Sequence, residues 1–275
     1  MSSHTTATVI ADSVNEFGHR ITTLQLKYQR FIHAEFLTHR VFSRSSSSSR
    51  AIPVSKMIEQ VRTDPAMPIH WGLNQPGMQA HKEHESPETA RLWWEMSAEA
   101  AAAQADLLNQ LGLHKQIGNR VLEPFQWMHT VVTATEWKNF FELRCHPDAQ
   151  PEFQALAKAI REAINASTPI PRYRGISNYN SWHLPYISDD ERDNSPWALL
   201  PKISAARCAR VSYLKHDGTQ PSVEEDLALF ERLVGSKPMH ASPCEHQASC
   251  GSTERSRNFV GWWQYRELYE RGQMF

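Results

Sequence analysis

Thr38-His39-Arg40-Val41-Phe42-Ser43-Arg44-Ser45-Ser46-Ser47-Ser48-Ser49-Arg50 is the stretch whose reading decides this chain. It sets three guanidinium groups and one imidazole around a cluster of hydroxyls. Arginine offers planar, paired donors that suit phosphate oxygens. Serines add hydroxyl donors and let backbone N–H groups come close to an anion. Composition alone describes a flexible Ser-rich loop. The flanks argue for order, because Phe31-Ile32-His33-Ala34-Glu35-Phe36-Leu37 enters the run and Ala51-Ile52-Pro53-Val54 leaves it.

The rest of the composition sets the frame. A chain of 275 residues can bury a substantial core as one large domain or two small ones. Hydrophobic content of 40% and charged content of 21% are ordinary for a globular protein. A net charge of −1 implies no bulk attraction to nucleic acid or membrane, yet leaves room for a local basic pocket. Most of the nine Trp are expected in packing roles. The four cysteines, Cys145, Cys208, Cys244 and Cys250, form no C-x-x-C pair, and a chain of this length needs no disulfide staples, so a reduced, cytoplasmic compartment is expected. The start, Met1-Ser2-Ser3-His4-Thr5-Thr6, is polar and lacks an apolar signal region. No stretch reaches transmembrane length.

Periodicity places the elements. Residues 8–12 and 20–28 read as strands, joined by the turn residues Asn15-Glu16-Phe17-Gly18. Residues 30–38 read as a helix, as do 53–62, with Pro53 at the first turn. The Ala- and Leu-rich stretch 88–112 is the clearest helix, opened by Ser86-Pro87 and closed at Gly112. Residues 114–129 predict a helix interrupted at Pro124, followed by helices over 135–144 and 151–165. Residues 202–213 read as a helix or a strand edge. Residues 222–234 read as a helix with a capping box from Ser222 to Glu225. The aromatic segment 258–270, with Trp262-Trp263-Gln264-Tyr265-Arg266, is expected to pack as a helix. Residues 64–87 and 167–200 read as irregular connections or insertions.

The opening run resembles the signature loop of flavin-dependent thymidylate synthases (the ThyX family), R-H-R-x-x-S-x-N-x-x-S-x-R-Y. His39, Arg40, Ser43, Ser48 and Arg50 match in register, while Thr38, Ser45 and Ala51 stand where the family has Arg, Asn and Tyr. A second block is similar to the family's N-x-x-x-L-R and A-Q-x-E: Asn139, Leu143 and Arg144, then Ala149, Gln150 and Glu152. Arg120-Val121-Leu122-Glu123-Pro124 resembles R-I-V-L-P. A third pair, Ala209-Arg210-Val211-Ser212-Tyr213 and His240-Ala241-Ser242-Pro243-Cys244-Glu245-His246, resembles A-R-V-S-Y and G-H-x-S/T-P-F-E-H, with Cys244 in place of Phe. Family members have this pair before the signature loop, and here it follows. A circularly permuted order accounts for that, and folds tolerate such permutation.

The resemblance implies one catalytic domain over 1–275. Its fold class would be α/β (α+β), with a mixed β-sheet and several long helices. It implies transfer of a one-carbon unit from methylene-tetrahydrofolate to C5 of dUMP with reduction to dTMP, using FAD and NADPH, in a cytoplasmic homotetramer whose sites draw on several subunits. By the same resemblance Ser48 and Arg144 are catalytic. Glu35, Ser46, Ser47, Ser49, Arg50 and Arg120 join them in binding the pyrimidine deoxynucleotide monophosphate, with Arg50 and Arg120 at its phosphate. Thr38, His39, Arg40, Thr133, Asn139, Leu143, Ser212, His240, Ser242 and Glu245 lie against the flavin. Glu35 is a carboxylate where the family often has Gln, which opens another pyrimidine or a hydroxymethyl product as alternatives. A non-catalytic flavin- or nucleotide-binding protein is a further one.

Other chemistries fit the residues less well. His240, Glu245, His246, Cys244 and Cys250 lack the paired spacing of a zinc site, so no metal is expected. Cys244 reads as a small packed residue and not as a nucleophile. No P-loop or G-x-G-x-x-G is present, and a nucleic-acid module would need a basic stripe that the chain lacks.

Overall fold

The computed structural model describes residues 5–174, 180–212 and 221–273. Strands β1 (Thr6–Asn15) and β2 (Arg20–Gln29) form an antiparallel hairpin. Gly18, at φ +81°, supplies the left-handed residue of the turn, and Asn15 Oδ1 accepts from the N–H groups of Phe17 and His19. A 3-10 turn, Arg30–Ile32, leads into α1 (His33–Phe36) and then β3 (Ser43–Ser46). Next come α2 (Val54–Thr63), the long α3 (Pro87–Gln110), α4 (Lys115–Gly118) and a 3-10 stretch over Asn119–Phe125. Strand β4 (Trp127–Ala134), α5 (Lys138–Arg144), α6 (Pro151–Ala166) and β5 (Ile170–Arg172) complete the first lobe. The second lobe runs β6 (Trp182–His183), α7 (Asp189–Asn194), α8 (Leu200–Ala209), α9 (Val223–Phe230), β7 (Ala248–Ser256), β8 (Phe259–Gln264) and α10 (Tyr265–Glu270).

The first lobe is built on a five-stranded sheet of order β3-β4-β2-β1-β5, antiparallel except for the β1–β5 pair. The mixed sheet and its helices are the expected architecture. Alternation divides its two faces. Leu24, Leu26 and Tyr28 of β2 and Met128 and Val132 of β4 turn to one side and pack on Phe153, Leu156 and Ile160 of α6. Thr23 and Thr133, directly paired in the register, turn to the other side. There they meet the second lobe, whose three-stranded sheet has the order β6-β7-β8.

Several elements differ from the sequence reading. Residues 114–129 do not form one helix. The helical part ends at Phe125, and Trp127 opens β4, which sits between β2 and β3. The β-branched run Thr130-Val131-Val132-Thr133 favours a strand. Burial on both faces removes the alternation that would have announced it. Residues 43–46 of the Ser-rich run form an edge strand on β4. The segment around Trp262-Trp263 is β8 and turns helical only at Tyr265. The irregular stretch 167–200 contains β5, β6 and α7. Tyr213, the last residue of the Ala209–Tyr213 block, lies outside the described residues, as do 175–179 within the 167–200 connection.

The second lobe is tied together by a buried carboxylate. Asp226 of α9 is fully buried and accepts from Arg207 Nε at 2.8 Å and from Arg210 Nε at 2.7 Å. Removing it leaves two largely buried guanidinium groups short of their partner. Asp226→Ala is expected to destabilise the fold by about 3 kcal/mol, read from urea denaturation. A loss below about 1 kcal/mol would show that the two arginines find other acceptors.

Candidate active site: two cavities and their walls

The Ser-rich run becomes a cavity wall because neighbours hold its backbone. Ser47 N–H donates to His129 O at 2.8 Å, continuing the sheet past Ser46. Asn119, fully buried, donates through Nδ2 to Ser49 O at 2.7 Å and Ile52 O at 3.0 Å. The Ser212 hydroxyl donates to Ser46 O and accepts from Ser48 N–H, both at 3.0 Å. A residue of the C-terminal block thus latches the loop from a distance of more than 160 positions.

The first cavity, about 780 Å³, is bounded by Ser46, Ser48, Arg50, Ser212, His240 and Ser242 among the expected site residues. It also takes in Arg44, Ser45, Lys115 and Arg232, which the sequence reading did not assign. Its described lining holds four cations, Arg44, Arg50, Lys115 and Arg232, and no carboxylate. That arrangement favours an anion with several oxygens. Arg44 reaches back through Nη1 to Phe36 O and His39 O, both at 3.1 Å, and Lys115 Nζ donates to Ala51 O at 3.0 Å. Burial lowers the Arg44 guanidinium from its ordinary value, with Tyr28 and Glu245 countering.

Glu35 and Arg144 line a second cavity of about 670 Å³, which shares no lining residue with the first. Arg144 Nη1 donates to Glu35 Oε2 at 3.1 Å, and its Nε donates to His39 Nε2 at 3.0 Å. The guanidinium also stands over the Phe153 ring, 4.3 Å from its centre. His39 must be neutral to accept this bond. Burial, then Arg144 and Arg44, hold it down at about 4. The 64–87 connection closes the far side: Ile69 N–H donates to the buried Glu152 at 2.9 Å, and His70 and His81 line the cavity. Glu152 ends the A-Q-x-E block, so this block anchors the connection over Arg144 and Glu35.

The remaining expected residues stand elsewhere. Ser47 donates its hydroxyl to Met128 Sδ at 3.3 Å, and Ser49 is buried under Asn119. Arg120 is exposed and pairs with Glu123 at 2.7 Å. Thr38 donates to Glu35 O at 2.7 Å. Arg40, Asn139 and Leu143 face outward. Thr133 is fully buried and bonded to Thr23 and His246. Glu245 is ion-paired with Arg266. Ser48 and Arg144, read together from sequence, therefore occupy different cavities of one chain. Arg44 was within sight, inside the quoted run. Lys115 and Asn119 carry no motif, and only the fold brings them to the loop.

With this geometry in place, comparison with known proteins fixes the family. The family described as "Thymidylate synthase complementing protein" matches residues 11–170. Over 158 residues the chain is 30% identical to a "Probable flavin-dependent thymidylate synthase" of Paramecium bursaria Chlorella virus 1, a match covering 54% of this chain and 67% of that one. Two structures titled as a UMP/dUMP methylase PolB from Streptomyces cacaoi, bound with 5-Br dUMP and with 5-Br UMP, superpose with TM-scores of 0.50 and 0.51 at 15% identity. Each superposition covers 60% of this chain, with 90% and 89% of the respective methylase chains. The chain belongs to the thymidylate synthase complementing protein family. The matched stretch holds the signature loop and Arg144. The Ala209–Tyr213 and His240–His246 blocks lie beyond it, yet Ser212, His240 and Ser242 share the first cavity with that loop.

The buried imidazoles set a pH dependence. His39 is held at about 4, His33 at about 4 and His246 at about 3, each mainly by burial, against an ordinary 6.5. The unfolded chain therefore binds more protons over the interval between these values. Stability is complete above about pH 6.5 and is lost as pH falls toward about 4. Urea midpoints taken from about pH 7 down to about pH 4.5 should decline, and His39→Gln should remove part of the slope. Constant midpoints would show that these rings titrate alike in both states.

Proposed function

We propose that this chain is a flavin-dependent pyrimidine nucleotide C5-modifying enzyme. Its reaction is transfer of a one-carbon unit from methylene-tetrahydrofolate to dUMP with reduction to dTMP. FAD is the cofactor and NADPH the reductant. The observation that carries this reading is the first cavity, where the signature loop and both C-terminal blocks converge on a cationic, hydroxyl-rich wall. Family membership and the pyrimidine ligands of the PolB structures support the nucleotide class. The residues present fit FAD: serine hydroxyls and guanidinium groups suit a diphosphate, and the volume is within the range of cofactor sites. The C-terminal position of these blocks accords with a circularly permuted family fold.

The flavin, when bound, supplies the redox chemistry of the one-carbon unit. The protein's part is to bind, orient and polarise. Arg50 and the Ser48 hydroxyl hold the nucleotide at the loop, and Lys115, on the same wall, takes the second place at the phosphate that the resemblance gave to Arg120. Arg144 stabilises negative charge that develops on the pyrimidine. Neutral His39 accepts from Arg144 Nε and fixes the plane of the guanidinium.

Because Ser48 and Arg144 line separate cavities, a complete site needs two copies of the chain, in keeping with a homotetramer. Helix α3 offers an exposed apolar stripe for such assembly, with Trp93, Met96, Leu107 and Leu111. The test is complementation. Arg50→Ala and Arg144→Ala are each expected to lower dTMP formation at least about tenfold. Refolding the two variants together should restore activity by creating sites with both arginines intact. Active wild type with no restoration would sink the shared site. Wild type that forms no dTMP and binds no FAD would sink the reading as a whole.

One observation favours a second substrate class. Glu35 places a carboxylate beside Arg144 where an amide is common in the family. A carboxylate accepts from a pyrimidine amino group, so dCMP, or a hydroxymethyl product, is the alternative. Mass analysis of products from dUMP and dCMP with Glu35→Gln decides it. Unchanged base preference and product would remove Glu35 as the determinant.

A further inference from the structure

Six side chains form an unbroken row across the polar face of the sheet. Ser45 Oγ lies 2.9 Å from His246 Nε2, and His246 Nδ1 lies 2.9 Å from Thr133 Oγ1. Thr133 Oγ1 is 2.7 Å from Thr23 Oγ1, which is 2.8 Å from His183 Nε2. His183 Nδ1 ends the row at Ser13 Oγ, 3.0 Å away. Thr23, Thr133, His183 and His246 are fully buried, and Ser13 and Ser45 are nearly so. Ser45 is the one member that reaches the first cavity.

Burial keeps both rings neutral: His246 is held at about 3, and His183 well below its ordinary value. Each hydroxyl and each neutral imidazole then carries one proton to share. Six protons serve five contacts. The threonine oxygens at 2.7 Å need a proton between them. Four arrangements put one proton in every contact, and they differ in which hydroxyl turns its proton out of the row. In one, Ser13 donates to His183 Nδ1, both rings carry their proton on Nε2, and the Ser45 proton points into the cavity. In a second, every bond is reversed, both rings carry it on Nδ1, and Ser45 shows the cavity a lone pair. In the remaining two, His183 carries its proton on Nε2 and His246 on Nδ1, and either Thr23 or Thr133 accepts from both neighbours and turns its own proton out of the row; the opposite mixture of tautomers leaves the two threonine oxygens with no proton between them.

Burial decides among the four. Ser13 is 2% exposed and Thr23 and Thr133 are fully buried, and among the described residues the side-chain partners of all three lie within the row. The three arrangements other than the first strand the proton of Ser13, Thr23 or Thr133 in a buried place without an acceptor. We propose that the row acts as one oriented unit in which His246 is a positioning residue, fixing Ser45 as a hydrogen-bond donor to an acceptor oxygen of the cavity's ligand. That oxygen belongs to a phosphate or a carbonyl, of FAD or of the nucleotide. The proposal rests on the ligand-binding reading given above, but the coupling of the two rings does not.

The test is histidine tautomers by long-range ¹H–¹⁵N correlation on the full chain, alone and with FAD or with dUMP. Both His183 and His246 are expected as Nε2–H in every state, with the His246 signals moving for whichever ligand faces Ser45. Rings of opposite tautomer, or both as Nδ1–H, would overturn the proposal. Thr133→Val cuts the row at nearly constant volume. It should release His246 into mixed tautomers and weaken that ligand about fivefold, as Ser45→Ala should. The double variant should bind no more weakly than either single one, and Thr133→Ser should restore both properties. A Thr133→Val protein with His246 still purely Nε2–H and unchanged affinity would overturn it too. Wild type that binds neither ligand would end the functional reading, while the tautomers of the free protein would still judge the row.

Discussion

The second lobe meets the five-stranded sheet through two neutral imidazoles set into a row of hydroxyls. An apolar sheet face would accept many docking registers, since the hydrophobic effect is non-directional. Hydrogen bonds of 2.7–3.0 Å between buried groups accept very few. The position of His246, just after a 3-10 turn over Ser242–Glu245, then fixes Ser242 and its neighbours relative to β3, and the loop after α8 places Ser212 under Ser46 and Ser48. The first cavity exists because this docking has one solution. Further direct links, such as Asn15 Nδ2 to Gly261 O at 2.6 Å, act along the same interface.

Chemistry is divided between the two cavities by electrostatics. The first collects cations and hydroxyls without a carboxylate in its described lining. The second mixes Arg144 with Glu35, Asp148 and Glu152. The first lining suits an anion with several oxygens, and the second, of mixed charge, suits a neutral polar group. The 64–87 connection, read as irregular, has a role in this division because it supplies His70 and His81 to the second wall.

Local chemistry was legible in the sequence wherever it acts over a few residues. The β1–β2 turn, the helix opened by Pro87 and the capping box from Ser222 to Glu225 all form as read. A second box, Ser188 with Glu191, went unread because charge-rich Asp189-Asp190-Glu191-Arg192 looked like a surface excursion. Strand β4 was hidden by its own burial, and β8 by aromatic residues that suit either a strand or a helix. At the site, the motif residues of the loop were visible. His183, Thr23 and Asn119 were not, because their meaning lies in partners 70 to 160 positions away. Motifs report what touches a ligand, and they are silent about what holds those residues still.

Strand β3 is four residues long and forms one edge of the main sheet. Exposed sheet edges invite pairing with other chains, and proteins blunt them with short strands, charge or a cover. Here all three devices coincide with the first cavity: β3 is brief, carries Arg44, and has its Ser46 carbonyl occupied by the Ser212 hydroxyl. The wall of the cationic cavity is thus also the guard against self-association. Detachment of the second lobe would uncover an aggregation-prone edge, so solubility and the shape of the cavity depend on the same few contacts.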